Sequence, residues 1–76
     1  MPVRSMKARE LLAILQRAPL GYTIVRQAGS HRTLAAEGRQ PVTFSFHDGQ
    51  TIGPSLVRRI LCQQVGLTDA EIDALL

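Results

Sequence analysis

The side chains best suited to move a proton near neutral pH are His31 and His47, the two histidines of the chain. His31 follows Arg26-Gln27-Ala28-Gly29-Ser30 and precedes Arg32, and Ala28-Gly29-Ser30 has the small, turn-permissive chemistry of a tight connection between strands. The imidazole is therefore expected at the mouth of a hairpin, with Arg26, Arg32 and one of Arg58 or Arg59 as basic neighbours. Guanidinium groups hold phosphate oxygens through charge-assisted hydrogen bonds, and backbone N–H groups around Gly29 offer a further anion contact. A histidine so placed suits cleavage of RNA. The 2′-hydroxyl is a nucleophile already held beside the scissile phosphate, so no metal has to supply one. A positioned base contributes roughly 10²–10⁴-fold to such a reaction. The plainer alternative is a polar surface histidine after a turn.

Other chemistries find no support. Two histidines and the single cysteine, Cys62, do not supply the ligands of a usual zinc site, and there is no P-loop, dinucleotide fingerprint or nucleophile elbow. Ser30 and His31 are adjacent, and adjacent side chains seldom point at each other, so they are not read as a nucleophile and its base. No metal and no cofactor is expected. Cys62 cannot form an internal disulfide and is given no role; with no signal-peptide core and no long apolar run, this points to a reducing cytoplasm and no membrane partner.

The elements that must position the histidines are legible from periodicity. From Ser5 to Arg17 the residues Ala8, Leu11, Leu12, Ile14 and Leu15 gather on one side of a helical wheel, with Ser5 as the expected N-cap and Pro19 and Gly21 as terminators. Strands are expected over Tyr22 to Gln27, His31 to Ala36 and Val42 to Phe46, interrupted at Glu37-Gly38-Arg39-Gln40-Pro41. Pro54 opens a second helix to about Val65, in which Gln64 sits awkwardly within the apolar arc and Gly66 is the C-cap. Thr68 followed by Glu71 is a capping box for a short last helix through Leu76. Met1 to Arg4 reads as a loose lead-in. The order is α-β-β-β-α with a short C-terminal helix: an α+β domain, one three-stranded antiparallel sheet with helices on one face.

Parity then assigns faces. If Val42, Phe44 and Phe46 face the core, Thr43, Ser45 and His47 face away; on the second strand Leu34 takes Arg32 and Ala36 to the core side and leaves His31, Thr33 and Ala35 on the open face. One register that respects this pairs Ala35 with Thr43, Thr33 with Ser45 and His31 with His47, setting both histidines side by side; a slip of two residues keeps the parity and moves His47 along. Arg32 on the core side would have to snorkel at the sheet margin.

Size and charge bound the partners. Seventy-six residues make one domain, residues 1–76, and a chain this short has to use every apolar face. Nine Lys and Arg against six Asp and Glu give a net charge of +3, which leans toward a polyanionic or acidic partner. With only Tyr22, Phe44 and Phe46 as aromatics, binding through phosphates is favoured over stacking of several bases.

Together, Gly21-Tyr22, Arg26 to His31, His47-Asp48-Gly49, Ile52-Gly53 and the stretch from Leu56 to Leu67 resemble the HicA-type toxins, small mRNA interferases of toxin–antitoxin pairs. The resemblance covers most of the chain from Met6 onward. It departs from the family pattern at Ser45-Phe46, where a proline usually precedes the second histidine, at Gln50 in place of a lysine, and at Cys62 in place of a basic residue. The resemblance implies a double-stranded-RNA-binding-domain-like fold and a metal-independent endoribonuclease that cleaves mRNA with His31 as general acid or base. It also implies a HicB-type antitoxin protein that covers the histidine. Arg26, Gly29, Ser30, Arg32 and His47 are the expected RNA-binding residues, with His47 a substrate contact or second proton-transfer group. The rival readings are a noncatalytic RNA-binding module and a protein-interaction module on the same fold.

Overall fold

The structure, a computed structural model, describes residues 3–76. The elements are β1 (Met6–Lys7), α1 (Ala8–Gln16), β2 (Thr23–Ala28), β3 (His31–Ala35), β4 (Val42–Phe44), β5 (Thr51–Ile52), α2 (Pro54–Arg59) and α3 (Asp69–Leu75). Strands β2, β3 and β4 form an antiparallel sheet in that order, and β1 and β5 form a separate two-residue ladder that periodicity did not reveal. Leu34, Val42 and Phe44 are wholly buried in one cluster with Leu11, Leu15, Val57, Ile60, Leu61 and Ile72, while Thr43 on the opposite face is exposed. The helices thus cover one face of the sheet, as alternation in β4 requires.

Helix α1 buries Ala8, Leu11, Ile14 and Leu15 along the expected stripe but begins at Ala8, and Ser5 does not cap it. The amides of Ala8 and Arg9 donate instead to the carbonyls of Gln50 (2.8 Å) and Asp48 (3.2 Å). Carbonyls of a distant loop satisfy these otherwise orphaned N–H groups, so no side-chain cap is needed. The lead-in is less loose than expected where it is described: Val3 packs against the core and Arg4 pairs with Glu10. Met1 and Pro2 lie outside the described residues.

Pro54 occupies the first turn of α2, which does not run on as an α-helix to Val65. It widens into a π turn over Ile60–Gln64, closed by Val65 N donating to Ile60 O at 3.0 Å. The widened turn keeps Ile60, Leu61 and Val65 buried and turns Gln64 toward the sheet, where its Oε1 accepts from the backbone N–H of Thr43 at 3.0 Å. Gln64 is therefore awkward in a helical wheel because its task is to pair the free edge of β4. Gly66, at φ +89°, ends the turn with Leu67 N donating to Leu61 O, a closure one residue wider than the usual glycine stop because it follows the π turn.

The capping box of α3 forms in both directions: Glu71 N donates to Thr68 Oγ1 at 3.2 Å and Thr68 N to Glu71 Oε1 at 2.9 Å. These bonds from Thr68, the backbone one foremost, hold the Glu71 carboxyl below its usual range. Arg58 pairs with Asp69 and ties α2 to the start of α3. Tyr22, buried beneath the 36–41 turn, donates its hydroxyl to Gln40 O at 2.8 Å, and burial raises its pKa above the ordinary phenol value.

Candidate active site

The site is built at the end of the sheet where β2 turns into β3. Ala28 pairs with His31, so Gly29 and Ser30 are the two residues of the loop. Gly29 has φ +61° and takes the first central position, where the two-residue hairpin of the II′ kind calls for glycine. His31 is exposed and its ring has no hydrogen-bond partner among the described residues. The local sequence is sufficient for this: the turn dictates that His31 is the first residue back in the ladder.

Arg26 reaches the same face through an irregularity. Ile24 pairs with Leu34, but Arg26 pairs with Thr33, so the register shifts by one at Val25. Without that bulge Arg26 would oppose Arg32 and share its core-side parity; with it, Arg26 stands on the open face beside Thr33, diagonal to His31. Its guanidinium is exposed and makes no ion pair among the described residues.

Between β3 and β4 the pairs are Arg32 with Phe44, Thr33 with Thr43 and Leu34 with Val42. This corrects the expected register by two residues: His31 and His47 are not cross-strand partners, and Thr33 does not face Ser45. Parity survives, because Thr33 and Thr43 share the open face while Leu34, Val42 and Phe44 lie beneath. The observed register keeps the core residues together. It brings wholly buried Leu34 and Val42 opposite each other, and the ladder ends at Phe44, whose ring meets that of Phe46 edge-on at 5.2 Å between centroids.

His47 lies beyond β4, in the loop that leads to β5. It is exposed and, like His31, its ring is without a hydrogen-bond partner among the described residues. All four carbonyls of residues 47–50 are engaged: His47 O accepts from Gln50 N (2.9 Å), Asp48 O from Arg9 N, Gly49 O from Lys7 Nζ (3.2 Å) and Gln50 O from Ala8 N. Lys7 Nζ also donates to Thr51 Oγ1 at 3.0 Å. A turn of polar residues is thus held on the start of α1, a signal that no local pattern carried.

Arg32 does not stand open to a phosphate. Its side chain is only 13% exposed, and Nη2 lies 3.0 Å from Asp48 Oδ1, so the core-side arginine is the link between the two histidine-bearing segments. Its Nη1 is buried with no partner. Arg58, taken up by Asp69, is likewise not a free cation beside His31, whereas Arg59 is exposed. A surface cleft of about 420 Å³, lined by Arg17, Pro19, Leu20, Arg39 and Leu75 among others, includes neither histidine. Among the described residues no group of three or more His, Cys, Asp and Glu side chains is placed to hold a metal ion, and no helix is long and apolar enough to cross a membrane. Cys62 is exposed.

A three-stranded antiparallel sheet backed on one face by helices, with its basic hairpin on the open side, is the double-stranded-RNA-binding-domain-like class of α+β fold. Residues 8–67 match the family model described as the HicA toxin of bacterial toxin–antitoxin systems, and the chain belongs to that family. It is accordingly a toxin of a toxin–antitoxin system. No curated protein and no solved structure matches it significantly.

Proposed function

We propose that this chain is a metal-independent endoribonuclease that cleaves mRNA in the cytoplasm, with His31 moving the proton, and that a HicB-type antitoxin neutralises it. The observation that carries the reading is the exposed, unpartnered imidazole of His31, presented by a two-residue turn with unpaired Arg26 diagonal to it on the same face. Arg26 is the phosphate contact, and the amides around Gly29 and Ser30 line the approach.

His31 accepts the proton of the 2′-hydroxyl, the 2′-oxygen bonds to phosphorus, and the bond from phosphorus to the 5′-oxygen breaks. That oxygen takes up a proton, leaving a 2′,3′-cyclic phosphate and a 5′-hydroxyl. Such a step needs a positioned base, a held phosphate and a proton for the leaving group. The antitoxin has an edge to cover: Val25, 61% exposed, stands at the irregularity of the edge strand β2, one residue before open-face Arg26.

The test is induction of wild type and His31→Ala, with RNA mapped in both. Growth arrest and new RNA ends are expected from the wild type alone. Equal arrest and equal cleavage would remove His31 from the chemistry; salt-sensitive RNA binding without products would favour the noncatalytic module.

A further inference from the structure

We propose that the cleft at the end of the sheet away from the hairpin is a protein-recognition site, which takes an acidic segment of a partner by one large apolar side chain flanked by carboxylates. The cleft encloses about 420 Å³, within the range of ligand sites, and its lining comes from the end of α1, the 36–41 turn and α3. Its place follows from the ladder. Ala28 pairs with His31 at one end of β2 and β3, and Thr23 with Ala35 at the other. The segments that carry Leu20 and Arg39 therefore leave the sheet roughly 13 Å along β3 from His31. The cleft is a site of its own, separate from the hairpin and from the 47–50 turn.

Two features point to the occupant. The first is charge. Arg17 and Arg39 both line the cleft, and neither side chain makes an ion pair among the described residues. Both stand on fixed backbone. Leu20 N and Gly21 N donate to Arg17 O at 3.1 and 3.0 Å, Arg39 N donates to Ala36 O at 3.1 Å, and the Tyr22 hydroxyl holds the next carbonyl, Gln40 O. Two unpaired cations mounted around one cleft are electrostatically unfavourable until an anion comes between them. The second feature is the aliphatic lining. Pro19, Leu20, Leu67 and Leu75 suit a side chain the size of leucine or phenylalanine and offer nothing to a sugar–phosphate chain. Glu71, also in the lining, accepts from Thr68 N and repels a continuous polyanion. A peptide can set its carboxylates at the arginines and avoid Glu71. The net charge of +3 draws such a partner in.

The probes are capped pentapeptides with Asp or Glu at four positions and leucine, isoleucine or phenylalanine at the centre. They are titrated to millimolar concentration into the full ¹⁵N-labelled chain. Amide shifts are expected at Arg17, Leu20, Arg39, Leu67 and Leu75, and none from Arg26 to Arg32. Serine at the centre of the peptide is expected to weaken binding by about tenfold or more. Arg17→Gln and Arg39→Gln are each expected to weaken it roughly fivefold with an unchanged melting temperature, and peptides with Lys at the four positions to shift nothing. Should Arg39→Gln not fold, Arg17→Gln and the serine comparison decide. No shifts from any acidic peptide, shifts confined to the hairpin, or equal binding of the serine peptides overturn the proposal. An RNA oligonucleotide titrated in parallel is expected to move the hairpin and leave the cleft unchanged; RNA that moves Arg17 and Arg39 more readily than the peptides do makes the cleft a nucleic-acid path and overturns it as well. No arm reads cleavage, so the result is independent of the role of His31.

Discussion

Arg32 Nη2 lies 3.0 Å from Asp48 Oδ1, and these are the residues that immediately follow His31 and His47. One ion pair therefore joins the two segments of the chain that carry imidazoles, from an arginine packed under the sheet to a carboxylate on a clamped turn. It gives the two arginines that flank the hairpin turn different tasks: Arg26 faces outward and Arg32 inward.

His31 is exposed and outside the core, so His31→Ala is expected to leave the melting temperature unchanged while lowering the cleavage rate by about 10²–10⁴-fold. Thermal melting and a single-turnover RNA assay on the same preparation check both halves.

Arg26→Ala is expected to weaken RNA binding and to reduce the slope of log K against log salt by about 1, with stability unaffected. Arg32→Ala should do the reverse, lowering the denaturation midpoint because it strips Asp48 of its partner and opens a buried position. Binding titrations at several salt concentrations, paired with urea unfolding, separate the two; a salt slope that changes for Arg32→Ala alone would reverse the assignment.

Gln64→Ala removes the acceptor that satisfies Thr43 N on the edge of β4. A loss of about 1 kcal/mol is expected, together with faster hydrogen exchange at the Thr43 amide than at the amides of β3. Exchange followed residue by residue tests the specific bond rather than general weakening.

Tyr22 is the only tyrosine, is buried, and has its pKa raised above 10.0 by burial. A phenol harder to ionise in the folded state contributes stability that is complete below its unfolded pKa and is lost as pH rises through the folded value. Stability should therefore decline from about pH 10 upward. Tyr22→Phe should flatten this decline at a cost of about 1 kcal/mol at neutral pH, from the lost bond to Gln40 O. Phenolate absorbance and circular dichroism followed through one alkaline titration check the coupling, which is absent if the ring ionises before the fold is lost.

Short-range patterns were enough to read much of this protein. The stripe of Leu11, Ile14 and Leu15, the alternation of Val42 and Phe44, the glycine turn that delivers His31, Pro54 at a helix start and the Thr68–Glu71 box each involve residues within a few positions of one another, where geometry leaves little choice. The faces of β3 and β4 followed from the same logic, as did membership of a family whose marks lie along the chain in order.

What only the tertiary structure decided are the pairings between separate elements. A register shift of two residues preserves every face assignment, so alternation could not choose between Val42 and Phe44 opposite Leu34; the assembled sheet sets Val42 there and ends the ladder before His31 and His47 could pair. The bulge at Val25 that turns Arg26 outward, the π turn that carries Gln64 to Thr43, and the carbonyls of Asp48 and Gln50 that relieve Ser5 of capping α1 each depend on a partner in another element or loop. A residue's own type and neighbours determine which face it prefers; which distant group meets it there is settled only when the whole core closes.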